Sequence, residues 1–457
     1  MVEPLGVPEV QVADGIFALG VASGDPDSTS VALWTRLVGE LPDALDLVWE
    51  MAYDDSFAQL AATGSTPISI GFAHSAHVVA EALPPGSEFF YRFKVGSQIS
   101  PVGRTRTMAA VGSAPSSLRL AVSSCQLMET GNWAAHDDIA RADVDLVIWL
   151  GDFIYGGGGS SQLEGRAHQG PTPVSLGAYR DRYAQYRRDP ALQASSAAHP
   201  WVATWDDNEV ENDYGSGVDP DRRQAAYQAW WEHMPTRLSA PGSSGFDVYR
   251  SIDAGTLCRI DLLDVRQYAD GSTLLGDAQR QWLTQALDHD ATWTIVGSPV
   301  LLSGLLVPID SLLPEGQTTL LPYSWDGYPE ERAWLAGELA KRPNRICVSG
   351  DLHVAAVLEV TADPADRTLT AVATELMAPP ISSTFPDQYA AALPFLPLAN
   401  SHIGYLDNIQ GWMLVDVQPG RVMAEFRSVV DIGDPASPVE AGARYEIRAG
   451  DPTPFRL

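Results

Sequence analysis

The stretch from Asp145 to Tyr155, DLVIWLGDFIY, constrains the fold more than any other part of the chain. Apolar residues run without interruption into Gly151 and Asp152, and a run of this length stopped by glycine reads as a strand buried on both faces. Such strands belong to parallel sheets covered by helices. In open α/β sheets the functional crevice lies outside the carboxyl ends of the strands, so Asp152 and Tyr155 are placed where chemistry gathers.

The same pattern recurs along the chain. The run LRLAVSS ends in Ser124, Cys125 and Gln126, and HPWVATW ends in DDNEVENDY, Asp206 to Tyr214. TLCRIDLLDV ends in Arg266, Gln267 and Tyr268, and RICVSG ends in Asp351, Leu352 and His353. Helix-like segments lie between them: Asn132 to Arg141, AYRDRYAQYRRDPALQ and RRQAAYQAWWEHM. Residues 118 to 457 therefore carry the alternation of an α/β domain. A single Asp after a strand is more often a turn or helix cap than a ligand. Several polar clusters ending strands of one sheet are not explained by capping.

The preceding part has another character. Between residues 15 and 108, short β-like runs (VALWTRL, LDLVWEMAY, AHVVAEAL and FFYRFKVG) alternate with turn clusters such as PDST and ALPPGS. This spacing predicts a small antiparallel, Ig-like β-sandwich with a structural or substrate-guiding role. The small-residue segment AVGSAPSS, Ala110 to Ser117, reads as a linker, giving an N-terminal domain over 1–112 and a catalytic domain over 113–457. A chain of 457 residues is long enough for both.

Composition narrows the partners. A net charge of -29 repels nucleic acid and anionic lipid at long range and argues against a polyanion partner, while a small phosphate ester can still bind, provided that bound cations reverse the field locally. No apolar run reaches the ~18 residues of a membrane span, so no stable membrane insertion is expected. The start, MVEPLGVPEV, has no signal-like pattern, as in a cytosolic chain or a mature exported one. With only Cys125, Cys258 and Cys347, disulfides cannot be the main support of the fold. Cys258 and Cys347 sit inside apolar strands and read as buried thiols, whereas Cys125 sits at a strand end between polar neighbours.

Ligand types then suggest the chemistry. A thiolate, a phenolate, a carboxylate and an imidazole, from Cys125, Tyr155, Asp152 and His353, suit a high-valent ion such as Fe(III), because anionic ligands offset its charge. Oxygen donors from Asp152, Asp207 or Asn212, and Asp351 suit a hard cation such as Ca²⁺ or Mg²⁺. Asp152 can bridge the two. A pair of ions ~3.5 to 4 Å apart can polarise a phosphoryl oxygen, supply a nucleophile and clamp an in-line displacement.

These residues carry a family resemblance. GDFIY is similar to the GDxxY variant of the metallophosphoesterase GDxxD motif, and SGDLH resembles its closing GHxH motif with Asp in place of the first His. SSCQ, WDDNEVENDY, LLDVRQY and TELMAPPISS resemble the corresponding blocks of the PhoD-like alkaline phosphatases, and SGDPDSTSVALWTR is similar to that family's N-terminal domain. The resemblance implies a four-layer α/β/β/α metallophosphoesterase sandwich, preceded by the β-sandwich. It further implies hydrolysis of phosphate monoesters and diesters by metal-bound hydroxide, without a covalent phosphoenzyme, and Fe(III) and Ca²⁺ as cofactors. Carried over by position, Cys125, Asp152, Tyr155 and His353 would hold the iron. Asp152, Asp351 and Asn212 would hold calcium, with Asp207 a further candidate, and Arg266 would grip the phosphate oxygens. Arg266 as an ion pair with Asp264 or Asp261 is the plainer alternative. Export by the twin-arginine route, to a secreted or periplasmic location, is also implied, and a monomer is expected.

The block that usually reads DDHE reads DDNE here, with Asn208 where the resemblance implies a His that protonates the leaving group. An asparagine donates hydrogen bonds but not that proton, so a preference for esters with good leaving groups is expected. His136 and His233 read as packing or surface groups, and His402 as a residue outside the crevice. Trp201, Trp230 and Trp231 read as core aromatics. The Gly156 to Gly159 run lacks the order of a phosphate-binding loop and reads as a flexible entry to a loop over the site. Leu301 to Tyr328 reads as a lid or rim. Two other functions remain open: hydrolysis of lipid headgroups, marked by an apolar rim from Leu301 to Leu321, and a non-catalytic metal-binding role, marked by loss of a ligand.

Overall fold

The computed structural model describes residues 15–157, 161, 163–242, 245–306, 321–366, 368–386, 390 and 393–457. The opening MVEPLGVPEV, the end of the glycine run (158–159) and half of the expected lid segment (307–320) lie outside the described residues.

The expected strand Leu146–Leu150 lies at the centre of a mixed sheet, parallel to Leu118–Ser123 on one side and Pro200–Thr204 on the other. Its five side chains are all buried but point two ways. Leu146, Ile148 and Leu150 pack towards a second sheet, while Val147 and Trp149 pack under helices, the period-2 alternation of a strand with both faces covered. That is why the sequence shows an uninterrupted apolar run. The second sheet repeats the plan, with Cys258–Leu262, Trp293–Gly297, Arg345–Ser349 and Ala373–Met377 parallel in that order. Its Ile260, Leu262, Ile346 and Val348 meet the first sheet in a shared core, and Cys347 points the other way. Cys258 and Cys347 are free buried thiols, as expected.

Helices Ala134–Arg141, Leu176–Arg187, Pro190–Ala198 and Pro220–His233 cover the outer face of the first sheet, where Trp201, Trp230 and Trp231 are buried. Gly276–Leu287 and Pro329–Leu339 cover the second through Leu283, Leu287, Leu335 and Leu339. The layers thus run α/β/β/α. The segment AYRDRYAQYRRDPALQ is two helices rather than one. Pro190 cannot continue a helix but suits a first turn, and Asp189 caps the second helix by accepting from Ala191 N and Leu192 N.

At the N-terminal end, strands Ala44–Ala52, Leu60–Ser69, Glu88–Val95, Gln98–Ile99 and Gly103–Arg106 form an antiparallel sheet. It packs through Leu47, Met51, Phe89, Tyr91 and Phe93 onto Val21, Val31, Leu33, Ala76 and Val78. The facing layer is shared with the rest of the molecule. Val21–Gly24 pairs in parallel with Pro200–Thr204, so Val21–Gly24, Val31–Arg36 and Ser75–Ala80 extend the large sheet to ten strands among the described residues. Three strands of the N-terminal region therefore belong to the main sheet of the catalytic half.

Candidate metal centre and phosphate site

The carboxyl ends of the parallel strands of both sheets come together at one edge. Ser124 bridges in parallel to Pro380, and Thr204 Oγ1 donates to Leu263 O at 2.8 Å, tying the sheets there. Cys125, Asp152, Asp351 and His353 all follow strand ends and all have left-handed backbones, with φ of 53°, 56°, 66° and 57°. Such conformations cost about 1 to 3 kcal/mol each and persist only where the surroundings impose them. Two glycines show the crowding. A Cβ on Gly151 would lie 2.5 Å from the Asp206 backbone nitrogen, and one on Gly350 would lie 2.5 Å from Ser124 Oγ. Gly151 and Gly350, the glycines of GDFIY and SGDLH, are therefore places where two segments of the chain pass too closely for a side chain.

Ligand atoms of Cys125, Asp152 and His353 lie within 4.8 Å of one another. Tyr155 joins them, donating its hydroxyl proton to Asp152 Oδ2 at 2.8 Å and lying 3.2 Å from His353 Nε2. His353 Nδ1 lies 3.0 Å from Thr384 O, and as the donor there it leaves the Nε2 lone pair facing the cluster. A second group, Asp152, Asp206 and Asp207, meets the same 4.8 Å limit. Asp152 belongs to both, as a bridging carboxylate must.

The electrostatics fit cations. Burial, with the carboxylate of Asp152 close by, holds the Cys125 thiol and Tyr155 phenol well above their ordinary pKa values. Burial and neighbouring carboxylates raise Asp152 and Asp351 in the same way, and burial is the main cause of Asp206 being pushed up to about 7. Burial keeps the His353 imidazole neutral, the form that ligates metal. Asp206 Oδ2 is buried with no hydrogen-bond partner among the described residues. A bound cation reverses the sign of the local field and favours thiolate, phenolate and carboxylate together. The donor set therefore fits metal ions, with Cys125, Asp152, Tyr155 and His353 around one position and acidic oxygens around the other.

The remaining expected residues fall as follows. Asp207 is in the acidic group, and Asp351 lies beside it, half-buried, with an oxygen 3.7 Å from Arg266 Nη2. Asn212 is exposed and donates its amide to Asp213 Oδ2 at 2.7 Å, and Asp213 N in turn donates to Asp207 Oδ2 at 2.7 Å. Arg266 is buried and ion-paired, but not with Asp261: its Nε donates to Asp206 Oδ1 at 2.5 Å, and its Nη2 is 3.7 Å from Asp207. Asp264 instead accepts from the backbone N–H groups of Arg266 and Gln267. Asn208 donates from Nδ2 to Asp207 Oδ1 at 2.7 Å and to Asp152 Oδ2 at 3.3 Å. Three residues were not singled out from the sequence: Asp206, Ser383, which is 2.8 Å from the Tyr155 hydroxyl, and Glu209, whose carboxylate accepts backbone N–H groups. Asp206 was hidden by its neighbour in the DD pair, and the other two have no ligand-like spacing.

The histidines read as non-functional are buried and partnered. His136 lies between Gln126 Oε1 and Ser195 Oγ, at 2.8 and 2.9 Å. His233 contacts Arg36 Nη1 and Ala229 O, and His402 contacts Gly304 O.

Comparison with known proteins agrees with this geometry. Residues 120–426 match the family model of the PhoD-like phosphatases, and residues 6–109 match that of their N-terminal domain. Alkaline phosphatase D of Bacillus subtilis is 33% identical, over 94% of this chain and 80% of that protein. A solved structure of PhoD superposes with a TM-score of 0.90 at 31% identity, covering 96% of this chain and 92% of the other. Purple acid phosphatase from yellow lupin seeds, at 12% identity, shares the fold with a TM-score of 0.61 over 94% of this chain and 74% of its own. The chain belongs to the PhoD-like phosphatase family.

Proposed function

We propose that this protein is a metal-dependent hydrolase of phosphate monoesters and diesters, with Fe(III) held by Cys125, Asp152, Tyr155 and His353 and Ca²⁺ held beside it through Asp152. The observation that carries the reading is the convergence of a thiol, a phenol, a carboxylate and an imidazole on one position, with Asp152 shared by a second acidic group. Bound there, the ions supply Lewis acidity to a phosphoryl oxygen and a water-derived nucleophile at neutral pH.

The chain's own residues supply the rest. Arg266 presents Nη2 towards the acidic group with contacts no shorter than 3.7 Å to Asp207 and Asp351, which supports its assignment as the donor that grips a phosphoryl oxygen. Asp206 holds Nε of the same guanidinium and fixes its plane. Asn208 spans two carboxylates and offers no acid for the leaving group, so esters that leave as stable anions are the better substrates. Action outside the cytoplasm suits a centre that needs calcium. Among the described residues no helix is long and apolar enough to cross a membrane.

The test is metal analysis of the purified protein, its visible spectrum, and hydrolysis of an aryl phosphate monoester and diester before and after chelation. Iron with calcium, a broad tyrosinate-to-iron band and activity lost on chelation are expected. Zinc alone, or full activity without metal, overturns the assignment of Cys125 and Tyr155.

A further inference from the structure

We propose that Glu209 is a positioning residue for the metal centre, clamping the backbone of the loop that carries Asp152 and Tyr155. Glu209 is buried, and among the described residues it makes no ion pair. Its Oε2 accepts from Asp152 N at 3.1 Å and Asp206 N at 2.9 Å, and its Oε1 accepts from Phe153 N at 2.5 Å. These donors lie just past the point where the ladder between Leu146–Leu150 and Pro200–Thr204 stops at the pair Leu150 and Thr204. Buried there without a partner, they would be orphans. One carboxylate satisfies all three, and hydrogen bonds to an ionised acceptor are the strong ones.

The consequence is geometric. Two of the three donors belong to consecutive residues, Asp152 and Phe153, and Asp152 has a φ of 56°. Fixing both N–H directions fixes the two peptide planes that flank the Asp152 Cα, and with them the direction in which the carboxylate shared by the two metal positions leaves the backbone. The third donor, on Asp206, ties the second strand end to the first. The far end of the loop is gripped separately. Buried Arg182, on the helix Leu176–Arg187, donates Nη1 to Tyr155 O and to Gly156 O, the latter at 2.9 Å. Neither Glu209 nor Arg182 is in the ligand groups. They act on the loop from behind, as outer partners that orient ligands do.

This inference rests on the metal centre proposed above, so the experiment reads metal binding directly. Metal-free wild type, Glu209→Gln and Glu209→Ala are titrated with Ca²⁺ by calorimetry, and with Fe(III) through the visible tyrosinate band, alongside thermal unfolding. The expected result is graded. Glu209→Ala weakens binding about 10- to 100-fold and shifts the band, because Tyr155 shares the loop, while Glu209→Gln, which keeps one acceptor oxygen, falls between it and wild type. Lower melting with unchanged affinity and band in both variants overturns the proposal and leaves Glu209 a purely structural residue. If neither variant folds, Arg182→Lys, which keeps the charge but loses the fork, must still weaken binding, and unchanged affinity there also overturns it. Wild type that binds neither ion removes the functional reading and this inference together, whereas wild type that binds while the variants match it removes this inference alone.

Discussion

Replacing Gly151 with alanine tests the packing at the site edge most sharply, because the same chemical change elsewhere in the chain should have the opposite sign. Gly151 has a φ of 97°, and an added Cβ would meet Asp206 Cβ and N at 2.5 Å and Trp205 C at 2.8 Å. Two of these atoms are backbone in a strand end that is hydrogen-bonded on both sides, so neither side can give way. The backbone strain is about 1 to 3 kcal/mol, and forcing a methyl into a filled space adds about 1 to 3 kcal/mol. Gly151→Ala should therefore lose about 4 kcal/mol, roughly a thousandfold in the folded ratio. Gly177, in the helix Leu176–Arg187, has an ordinary φ, and an added methyl there would meet nothing within 4 Å. Gly177→Ala should gain about 0.5 kcal/mol by restricting the unfolded chain. Guanidinium unfolding of both variants and wild type, with metal content measured on each, makes the comparison. If Gly151→Ala unfolds within about 1 kcal/mol of Gly177→Ala and keeps its metal, the claim that this strand end admits no side chain is wrong.

Other outcomes follow from particular contacts. Asn208→His should raise kcat/KM on alkyl phosphates by about 100-fold and leave aryl phosphates nearly unchanged; equal effects on both classes would sink the leaving-group argument. Asp25 is buried and takes Arg250 Nε and Nη2 on Oδ1, at 2.9 and 2.6 Å, and Thr236 Oγ1 on Oδ2 at 2.6 Å. Asp25→Ala strands the Arg250 guanidinium and should cost about 3 to 5 kcal/mol in unfolding experiments. Burial lowers the pKa of His136 to about 3, while the unfolded chain protonates near 6.5. The unfolded state thus binds the extra proton first, and stability present above pH 6.5 is lost as pH falls towards 3. In a comparison of wild type with His136→Gln, the gap in unfolding midpoint should change steadily between pH 6.5 and 4.5, and a constant gap would refute this.

The residues at strand ends were legible because parallel strands covered on both faces leave apolar runs that stop where the sheet stops. LVIWL, LRLAVS and RICVS announce both a strand and the place where its functional residue begins. Nothing comparable announces the clamp. Glu209 acts on backbone N–H groups 56 and 57 residues away in the chain, and a carboxylate aimed at main chain leaves no pattern of side-chain types. The left-handed conformations of Cys125, Asp152, Asp351 and His353 are equally silent, since none is a glycine and each is imposed by tertiary contacts. The sharing of one sheet by the two halves was hidden for a related reason. Val21–Gly24 lies in the region that reads as a local sandwich, and its pairing of Ser23 with Pro200 is a long-range choice.

The charge balance at this edge predicts that metal binding and folding are coupled here. Asp152, Asp206, Asp207, Glu209 and Asp351 are crowded together, and every ion pair that they make among the described residues is with Arg266. One guanidinium cannot neutralise five carboxylates in a buried setting, where an uncompensated charge costs several kcal/mol. Without metal the chain must keep some of these groups protonated, which agrees with Asp206 being pushed up to about 7 by burial. Two polyvalent cations would supply the missing charge without disturbing Glu209, whose hydrogen bonds are already complete on its two oxygens. Because the ligands converge only when both sheets are folded, cations bind the native state alone and stabilise it by mass action. A chelated sample should therefore unfold at a lower temperature than the loaded protein, with the difference growing as free metal is added. Identical melting at all metal concentrations would mean that the acidic edge is balanced in some other way.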